Sequence, residues 1–263
     1  MTPPAIEVEG LSLSINGKAI LSGVSFQVES GSYMSIIGPN GAGKTTVLRC
    51  LNGVLEHDAG RISLMGEPLD GYSQRELAKV LSYVPQPDGR YLPYTVFEFA
   101  LMGRYPYLSP FSSVGPENRE AARAALETAG VEPFAERLIP TLSGGERQKV
   151  FIAAALAQGG QILLLDEPTT FLDYKHQVEV AELLQRLNRD QGITVVSVTH
   201  DVNSAVLHGG AIVGLKDGRV AFNGSSAELL ESGGLEEIYE TGFHYIQDSP
   251  TGAPLVVPKG FHS

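Results

Sequence analysis

Apolar and polar residues repeat with two different periods along the chain, and the two periods predict different elements. Near the N-terminus, IEVEGLSLSI and GVSFQVE alternate every second residue on either side of Asn16-Gly17, which indicates a β-hairpin. Further on, continuous apolar segments such as YMSII, QILLLDEP and ITVVSVTH alternate with helical segments such as KTTVLRCLNGV and KHQVEVAELLQRLNRDQG. Continuous apolar strands interleaved with helices are typical of a parallel sheet covered on both faces.

The middle of the chain differs from this pattern. Stretches rich in Pro, Gly and aromatic residues enclose helical segments, among them TVFEFALMG and ENREAARAALETAGV. We therefore predict an α/β fold with a mainly parallel sheet, a small N-terminal antiparallel β subdomain and a helical subdomain inserted at about 87–160. Residues 225–263 are predicted to form a short C-terminal extension, for which the sequence indicates no chemistry.

Composition and charge narrow the class of protein. Hydrophobic residues make up 43% of the 263 residues, which is enough for a sizeable core. The formal net charge of -11 argues against a nucleic-acid binder, because such binding depends on Lys and Arg neutralising phosphates. The single cysteine, Cys50, excludes an internal disulfide framework. No signal peptide or membrane span is visible, so we expect a cytosolic protein that serves a membrane only through partners.

A phosphate-binding loop is the strongest motif. GPNGAGKTT, residues 38–46, matches G-x-x-x-x-G-K-[ST] and stands between an apolar strand and a helix. The glycines let backbone N–H groups wrap a β-phosphate. Lys44 is expected to reach the β- and γ-phosphates, and Thr45 to offer its hydroxyl to Mg²⁺.

Two adjacent carboxylates follow the apolar strand ILLLDEP. Side chains alternate along a strand, so Asp166 and Glu167 cannot both face the same way. We assign Asp166 to the Mg²⁺ shell, through water, and Glu167 to polarising the attacking water. The alternative, a pair of solvated acids at a strand end, is weaker because the same chain carries a phosphate loop.

A histidine ends the next predicted strand, in VTHD. A neighbouring parallel strand would bring His200 to the sheet edge where ligands bind, within reach of a γ-phosphate or the attacking water. A purely structural histidine is the alternative. The other five histidines show no metal-ligand spacing and are interpreted as structural: His57, His176, His208, His244 and His262.

A second candidate anion site begins at LSGGERQKV, residues 142–150. Ser143 is a good N-cap for the helix that follows, and the N–H groups at a helix N-terminus attract anions. The phosphate loop lies far earlier in the chain, so the two sites are not neighbours in sequence.

In chain order, GPNGAGKTT, VPQ, LSGGERQ, ILLLDEP, FLD and VTHD resemble the nucleotide-binding subunit of ATP-binding-cassette (ABC) transporters over roughly residues 5–223. LSGGERQ is the most specific piece, since P-loop ATPases of other kinds lack it. The resemblance implies a P-loop NTPase core in a single ATPase domain, residues 1–224. It also places Gln86, Asp173 and His200 at the positions of the Q-loop, D-loop and H-loop.

The resemblance implies ATP and Mg²⁺ as ligands and assigns the site residue by residue. Catalytic roles fall to Glu167, His200 and Gln86, and Mg²⁺ contacts to Thr45, Gln86 and Asp166. Nucleotide contacts are expected from Gly38, Pro39, Asn40, Gly41, Ala42, Gly43, Lys44, Thr45, Thr46, Ser143, Gly144, Gly145 and Asp173.

Family resemblance also explains the two distant anion sites. In ABC proteins two subunits stack head to tail, so residues 143–145 would close over a γ-phosphate held by the other copy. A helix N-terminus contributes only ~0.3–2 kcal/mol toward an anion, so each half-site alone is incomplete. Supplying one part in trans makes hydrolysis conditional on assembly, as arginine fingers do elsewhere.

The sequence departs from the family pattern at two positions. Many members stack adenine on an aromatic residue where this chain has Ile15, so base selectivity is loose or Ile15 is simply a strand residue. In TFLD, many members have a small residue before Leu172, but Asp173 is kept and we expect function to survive.

GRYPY and DEPTTFLD resemble ATPases that power importers of iron-siderophore complexes, haem and cobalamin. The resemblance implies membrane permease subunits and, indirectly, a substrate-binding protein as partners, with the chain on the cytoplasmic face of the membrane. An aromatic stretch would contact the permease, although about half of it would be ordinary core: Phe97, Phe99, Tyr105, Tyr107 and Phe111.

Two other classes of ABC protein are alternatives. A soluble ATPase in iron–sulfur assembly or translation is one, although translation members usually carry two cassettes in one chain. A DNA-maintenance protein is the other, but its cassette is split by a long coiled coil, and no heptad run of that length exists here.

Overall fold

The computed structural model describes residues 3–86, 91–109, 114–208, 210–247 and 254–260. The strands in those ranges are β1 (Ile6–Ile15), β2 (Lys18–Val28), β3 (Tyr33–Ile37), β4 (Ala59–Leu64), β5 (Glu67–Pro68), β6 (Leu81–Val84), β7 (Ile162–Asp166), β8 (Thr194–Val198), β9 (Ala211–Lys216), β10 (Arg219–Ser225), β11 (Phe243–Ile246) and β12 (Leu255–Pro258). The α-helices are α1 (Lys44–Leu51), α2 (Gln74–Val80), α3 (Val96–Met102), α4 (Pro116–Thr128), α5 (Gly144–Gln158), α6 (Tyr174–Gln191), α7 (Val202–His208), α8 (Ser226–Glu231) and α9 (Gly234–Tyr239).

The chain forms two compact units. The first unit joins Met1–Gly71 with Thr194–Ser263, and the second unit is Tyr72–Ile193.

An antiparallel sheet in the first unit has the strand order β2-β1-β4-β5. The predicted hairpin is present, with Asn16 and Gly17 at φ 51° and 78° between β1 and β2. The apolar pattern of GRISLMGEPL predicts one strand with turns at either end, but the segment is a tight hairpin. It turns at Met65 and Gly66, both at positive φ, and splits into β4 and β5.

A second sheet region of the first unit is built around β3. This strand is buried along its whole length and runs parallel to both β8 and β9, while β10 continues antiparallel to β9. Ile36 is paired with Val198 and Ile37 with Gly214, so the carboxyl ends of the three parallel strands lie at one edge. The loops after β3 and β8 therefore leave the sheet at the same place.

The C-terminal residues of the first unit pack on this region. Helices α8 and α9 follow β10, and β11 pairs with β12 in a small antiparallel sheet. One buried cluster joins them to the end of β3 and to α7: Ile37, Ala205, Val206, Ile212, Leu229, Leu235, Ile238, Phe243 and Val256.

The second unit contains the parallel pair β6 and β7 and the helices α2 to α6. Both predicted helical segments of the insert form, as α3 and α4. Thr95 and Glu98 close a capping box at the start of α3, which fixes where that helix begins. Phe99 of α3 packs on Phe151 of α5 with ring centroids 4.9 Å apart, so this part of the aromatic stretch is partly buried between two helices of the unit.

Other members of the aromatic stretch differ in exposure. Tyr105 is 78% exposed, whereas Tyr107 lies under the Arg104 guanidinium, 3.8 Å from the ring centroid. Phe97 contacts Arg123 in the same way, at 4.8 Å. Phe111 lies outside the described residues. Over the part of the chain that is described, no helix combines the length and the apolar character needed to span a bilayer.

Candidate nucleotide-binding site

The loop between β3 and α1 is shaped by glycines that cannot be replaced. A Cβ on Gly38 would collide with the carbonyl oxygen of Leu215, because the loop leaves β3 directly against β9. Gly43 has φ 98°, and a Cβ there would lie 2.6 Å from Leu21 Cδ2. Side chains are therefore excluded where the backbone has to curve tightly back toward α1.

Lys44 is folded back over this loop. It is the first residue of α1 and only 6% exposed, and its Nζ donates to the carbonyl oxygens of Gly38 at 2.7 Å and Pro39 at 3.0 Å. The ammonium group therefore lies at the centre of the loop. Gly43 gives α1 no side-chain cap, so the helix N-terminus and a buried cation face the same place, which suits an anion.

The other predicted residues of the phosphate loop differ in how far they are exposed to solvent. Ala42 is buried and donates its N–H to the Pro39 carbonyl at 3.2 Å, while Asn40 is exposed. Thr45 and Thr46 lie partly buried in the first turn of α1, and Gly41 is exposed at φ 82°.

His200 reaches the same edge of the first unit. It is exposed in the loop after β8, and the N–H of Thr199 donates to the Ile36 carbonyl at 3.1 Å. Because β3 and β8 are parallel, this loop leaves the sheet beside the phosphate loop. The predicted position of the histidine is thus observed within the first unit, and its chemical role stays a prediction.

The two predicted carboxylates lie in different surroundings in the second unit. Asp166 ends β7 and is 2% exposed, and the Tyr83 hydroxyl donates to its Oδ2 at 3.4 Å. Glu167, the next residue, is partly exposed and accepts from Gln86 Nε2 at 3.2 Å and from the Thr170 hydroxyl at 2.8 Å. One carboxylate is thus buried and the other is oriented by two donors.

The pairing of β6 with β7 explains the contact between Gln86 and Glu167. Val84 is paired with Leu165, so the two strands end together and the residues after them meet. Glu167 has φ 49°, a left-handed conformation that is rare outside glycine and costs about 1–3 kcal/mol. Strain of this kind is characteristic of functional positions.

The LSGGERQ segment forms a capped helix start, as predicted. Ser143 is the N-cap of α5: its side chain accepts from the Glu146 N–H at 3.3 Å, and its own N–H donates to Glu146 Oε2 at 2.7 Å. These hydrogen bonds, first that from the Ser143 backbone, lower the pKa of the Glu146 carboxyl. Ser143 and Gly144 are exposed, so this helix N-terminus is accessible to a ligand.

Gly145 and Asp173 are linked through His176. A Cβ on Gly145 would fall on the His176 imidazole, so the helix start can approach α6 only as glycine. Asp173 caps α6 by accepting from the His176 N–H at 2.9 Å, and the same oxygen lies 2.8 Å from the ring Nδ1. These contacts lower the pKa of the Asp173 carboxyl, the backbone N–H contributing most.

The family model for the ABC transporter matches residues 21–170. The chain belongs to the ABC transporter family. Its enzymatic class is that of an ABC-type ATPase, and its fold is the predicted α/β P-loop type with mainly parallel strands.

Two curated relatives of this ABC chain are similar over nearly its whole length. The iron(3+)-hydroxamate import ATP-binding protein of Bacillus subtilis is 36% identical over 95% of this chain and 93% of its own. The ferric enterobactin transport ATP-binding protein of Escherichia coli is 36% identical over 96% of this chain and 93% of its own.

Solved ABC structures give the same result. A metal-chelate type ABC transporter in an inward-facing conformation matches with a TM-score of 0.86 and 28% identity, covering 98% of both chains. An ATP-binding cassette solved as a dimer bound to ADP and phosphate matches with a TM-score of 0.72 and 30% identity, covering 84% of this chain and 98% of that one.

Each unit of this ABC chain holds side-chain oxygen atoms of the kind that magnesium takes as ligands. Among the described residues there is no cluster of three or more His, Cys, Asp or Glu side chains that could hold a metal ion. Magnesium bound together with nucleotide phosphates needs only one or two carboxylates, the rest of its shell being phosphate oxygens and water. The Asp166 carboxylate in the second unit is of that kind, and so is the Thr45 hydroxyl in the first unit, each taken by itself.

Three side chains of the site were not singled out from the sequence. Tyr83 and Thr170 bond the two carboxylates, and His176, interpreted only as structural, joins Gly145 to Asp173. A signal existed for His176, since Asp-x-x-His at a helix start is a capping pattern. Thr170 lies three residues after Glu167, but nothing in the sequence shows that the chain turns back there.

Proposed function

We propose that this chain is the ATP-hydrolysing nucleotide-binding subunit of a membrane importer for an iron-siderophore complex or a related metal chelate, such as haem or cobalamin. The observation that carries the ATPase part is the loop in which the buried Lys44 ammonium is held over the carbonyls of Gly38 and Pro39. The choice of an importer is supported by the near-full-length similarity to the hydroxamate and enterobactin proteins.

In this proposal the phosphate loop binds ATP through backbone N–H groups, and Lys44 contacts the β- and γ-phosphates. Asp166 and Thr45, with Gln86, hold Mg²⁺, which when bound neutralises charge on the phosphate oxygens. Glu167 accepts a hydrogen bond from the attacking water, and Gln86 and Thr170 orient its carboxylate for that task. His200 hydrogen-bonds the γ-phosphate or the attacking water.

A second copy of the chain completes each site. We propose an ATP-dependent head-to-tail dimer in which residues 143–145 of one copy, with Asp173, close over the γ-phosphate bound by the other. Exposure of Ser143 and Gly144 supports this, because an uncovered helix N-terminus attracts anions from outside its own chain. The solved dimer of a similar cassette is consistent with the same assembly.

The proposal also places the chain at the cytoplasmic face of a membrane, through contact with permease subunits and indirectly with a substrate-binding protein. Tyr105 is the best candidate for a permease contact in the aromatic stretch, because it is 78% exposed while Phe99 is engaged with Phe151. Exposed aromatic side chains are frequent anchors of protein interfaces.

Purification from membranes tests the proposal. A tagged chain solubilised in mild detergent is expected to co-purify with a polytopic membrane protein, identified by mass spectrometry, and the complex should hydrolyse ATP only with Mg²⁺. Lys44→Ala should retain the partner but lose at least roughly 10²-fold in turnover, as expected when a stabilising charge is removed.

The outcomes separate the two parts of the proposal. An active ATPase recovered solely from the soluble fraction, with no membrane protein bound, would contradict the importer assignment and favour a soluble role. A membrane complex whose ATP hydrolysis is identical in wild type and Lys44→Ala would contradict the assigned ATP site.

A further inference from the structure

A tyrosine from the C-terminal residues touches the phosphate loop at its first position. The N–H of Gly38 donates to the hydroxyl oxygen of Tyr239 at 3.1 Å, across a separation of 201 residues. Tyr239 is the last residue of α9, and both residues belong to the first unit. The family motifs identified above do not include this tyrosine.

The position of Tyr239 is fixed by packing on both sides. Ile238 lies against Gly214 of β9 so closely that a Cβ on that glycine would overlap its side chain. Gly214 in turn is paired with Ile37, the residue before the phosphate loop. The Tyr239 ring contacts Phe243 edge to face, with centroids 6.1 Å apart.

Two contacts of Lys216, the last residue of β9, hold the C-terminal end of α9. Lys216 Nζ donates to the Glu237 carbonyl at 3.0 Å and pairs with the Glu240 carboxylate at 2.7 Å. The helix end that carries Tyr239 is therefore held on β9, the strand beside which the phosphate loop begins. Because the Tyr239 hydroxyl is held in place in this way, its hydrogen bond restricts the position of the Gly38 N–H.

The protonation state of Tyr239 agrees with an acceptor role. Burial raises the pKa of its hydroxyl to about 12, with the Gly38 N–H opposing the rise and the negative charge of Asp201 adding to it. The group is therefore neutral throughout the physiological range.

We propose that Tyr239 is a positioning residue for ATP binding, which holds the phosphate loop in its binding conformation through the Gly38 amide. The inference rests on the proposed ATPase function and adds the C-terminal residues to the nucleotide site. Tyr239 acts through Gly38 and not by contact with the nucleotide. Without the hydroxyl, the buried Gly38 N–H loses its hydrogen-bond acceptor in this loop conformation. The loop then populates other conformations too, and the apparent affinity for ATP falls because only part of the protein is in the binding conformation.

The test compares Tyr239→Phe with a matched control, Tyr245→Phe. The Tyr245 hydroxyl also makes a side-chain hydrogen bond in the C-terminal residues, donating to the Glu236 carboxylate at 3.0 Å, but that bond involves no loop residue. Both variants keep the aromatic ring and lose one hydroxyl. The full-length chains are compared in affinity for a fluorescent ATP analogue with Mg²⁺, in melting temperature, and in hydrogen–deuterium exchange of residues 36–46.

Tyr239→Phe is expected to weaken nucleotide binding roughly threefold to tenfold, the size of one ordinary hydrogen bond, and to speed exchange in the loop. Tyr245→Phe should bind the analogue as wild type does. Equal affinity of Tyr239→Phe and wild type would overturn the inference, as would equal losses in both variants, since these would indicate general loosening of the segment. Wild-type protein that binds no nucleotide would overturn the proposed function and this inference together.

Discussion

At the scale of single residues, the central group is the Lys44 ammonium in the phosphate loop. Lys44 is 6% exposed, and its Nζ donates to two carbonyl oxygens of that loop. Taking an ammonium out of water is costly, and negative charge nearby offsets that cost. In the proposed function, the β- and γ-phosphates of ATP contribute such charge.

Lys44→Ala is therefore expected to weaken ATP binding roughly tenfold to a hundredfold, since hydrogen bonds to charged groups contribute about 1.5–3 kcal/mol. Isothermal titration calorimetry measures this directly. Lys175→Ala is the matched control, because Lys175 is an exposed lysine whose nearest ion pair is a surface contact of 3.9 Å with Glu179. An equally large loss in the control would show that the effect arises from net charge and not from the loop.

Individual residues also show which parts of the site can be predicted from the sequence. Lys44, Asp166 and Glu167 were predicted because their chemistry follows from neighbours in sequence: a glycine loop, or the end of an apolar strand. Tyr83 and Tyr239 were not, because each reaches its partner through a long-range contact of an otherwise ordinary aromatic residue. Only the folded backbone brings these hydroxyls to the site.

At the scale of elements, the start of α5 has two separable roles. Its capping box pairs the N–H groups of Ser143 and Glu146, which stabilises the helix. The same exposed Ser143 is proposed to bind a γ-phosphate held by a second copy. A variant of the cap changes both properties, so the second role needs a control helix with an equivalent cap.

Helix α2 provides that control, since Ser73 and Glu76 form the same capping box within the second unit. Ser143→Ala and Ser73→Ala should each lower the free energy of unfolding by about 0.5–2 kcal/mol, measured by urea denaturation. Only Ser143→Ala should weaken ATP-dependent dimer formation. If Ser73→Ala impairs the dimer to the same extent, global stability and not phosphate contact explains the effect.

Elements with local signals were predictable, and those without were not. The starts of α3 and α5 are marked by a Thr or Ser cap with Glu three residues later. This capping pattern spans only four residues, so it can be recognised from the sequence. The prediction of a single strand over GRISLMGEPL is wrong, because the turn between β4 and β5 needs positive φ at Met65, a residue that gives no turn signal.

At the scale of the whole molecule, the least predictable part was the C-terminal segment. Residues 225–263 carry no motif, yet Leu229, Leu235 and Ile238 join the buried cluster that contains Ile37, the residue before the phosphate loop. Apolar residues in a short segment indicate that it packs, but not on what. The proposed link between this segment and ATP binding exists only because of that packing.

The central proposal, that ATP is bound between two copies of the chain, also belongs to the scale of the whole molecule. Glu167 is the group assigned to the attacking water, so Glu167→Gln should keep ATP binding and slow hydrolysis strongly. Without turnover, the nucleotide-bound dimer accumulates, since a ligand that binds the dimer more tightly than the single chain shifts the equilibrium toward the dimer. Lys44→Ala combined with Glu167→Gln is the control, because it should bind ATP weakly and remain dissociated.

Light scattering of Glu167→Gln, with and without ATP and Mg²⁺, measures this most directly. The account predicts a mass near the 28.1 kDa of one chain without nucleotide and about twice that mass with it. A variant that demonstrably binds ATP but stays at the mass of a single chain at high protein concentration would contradict the claim.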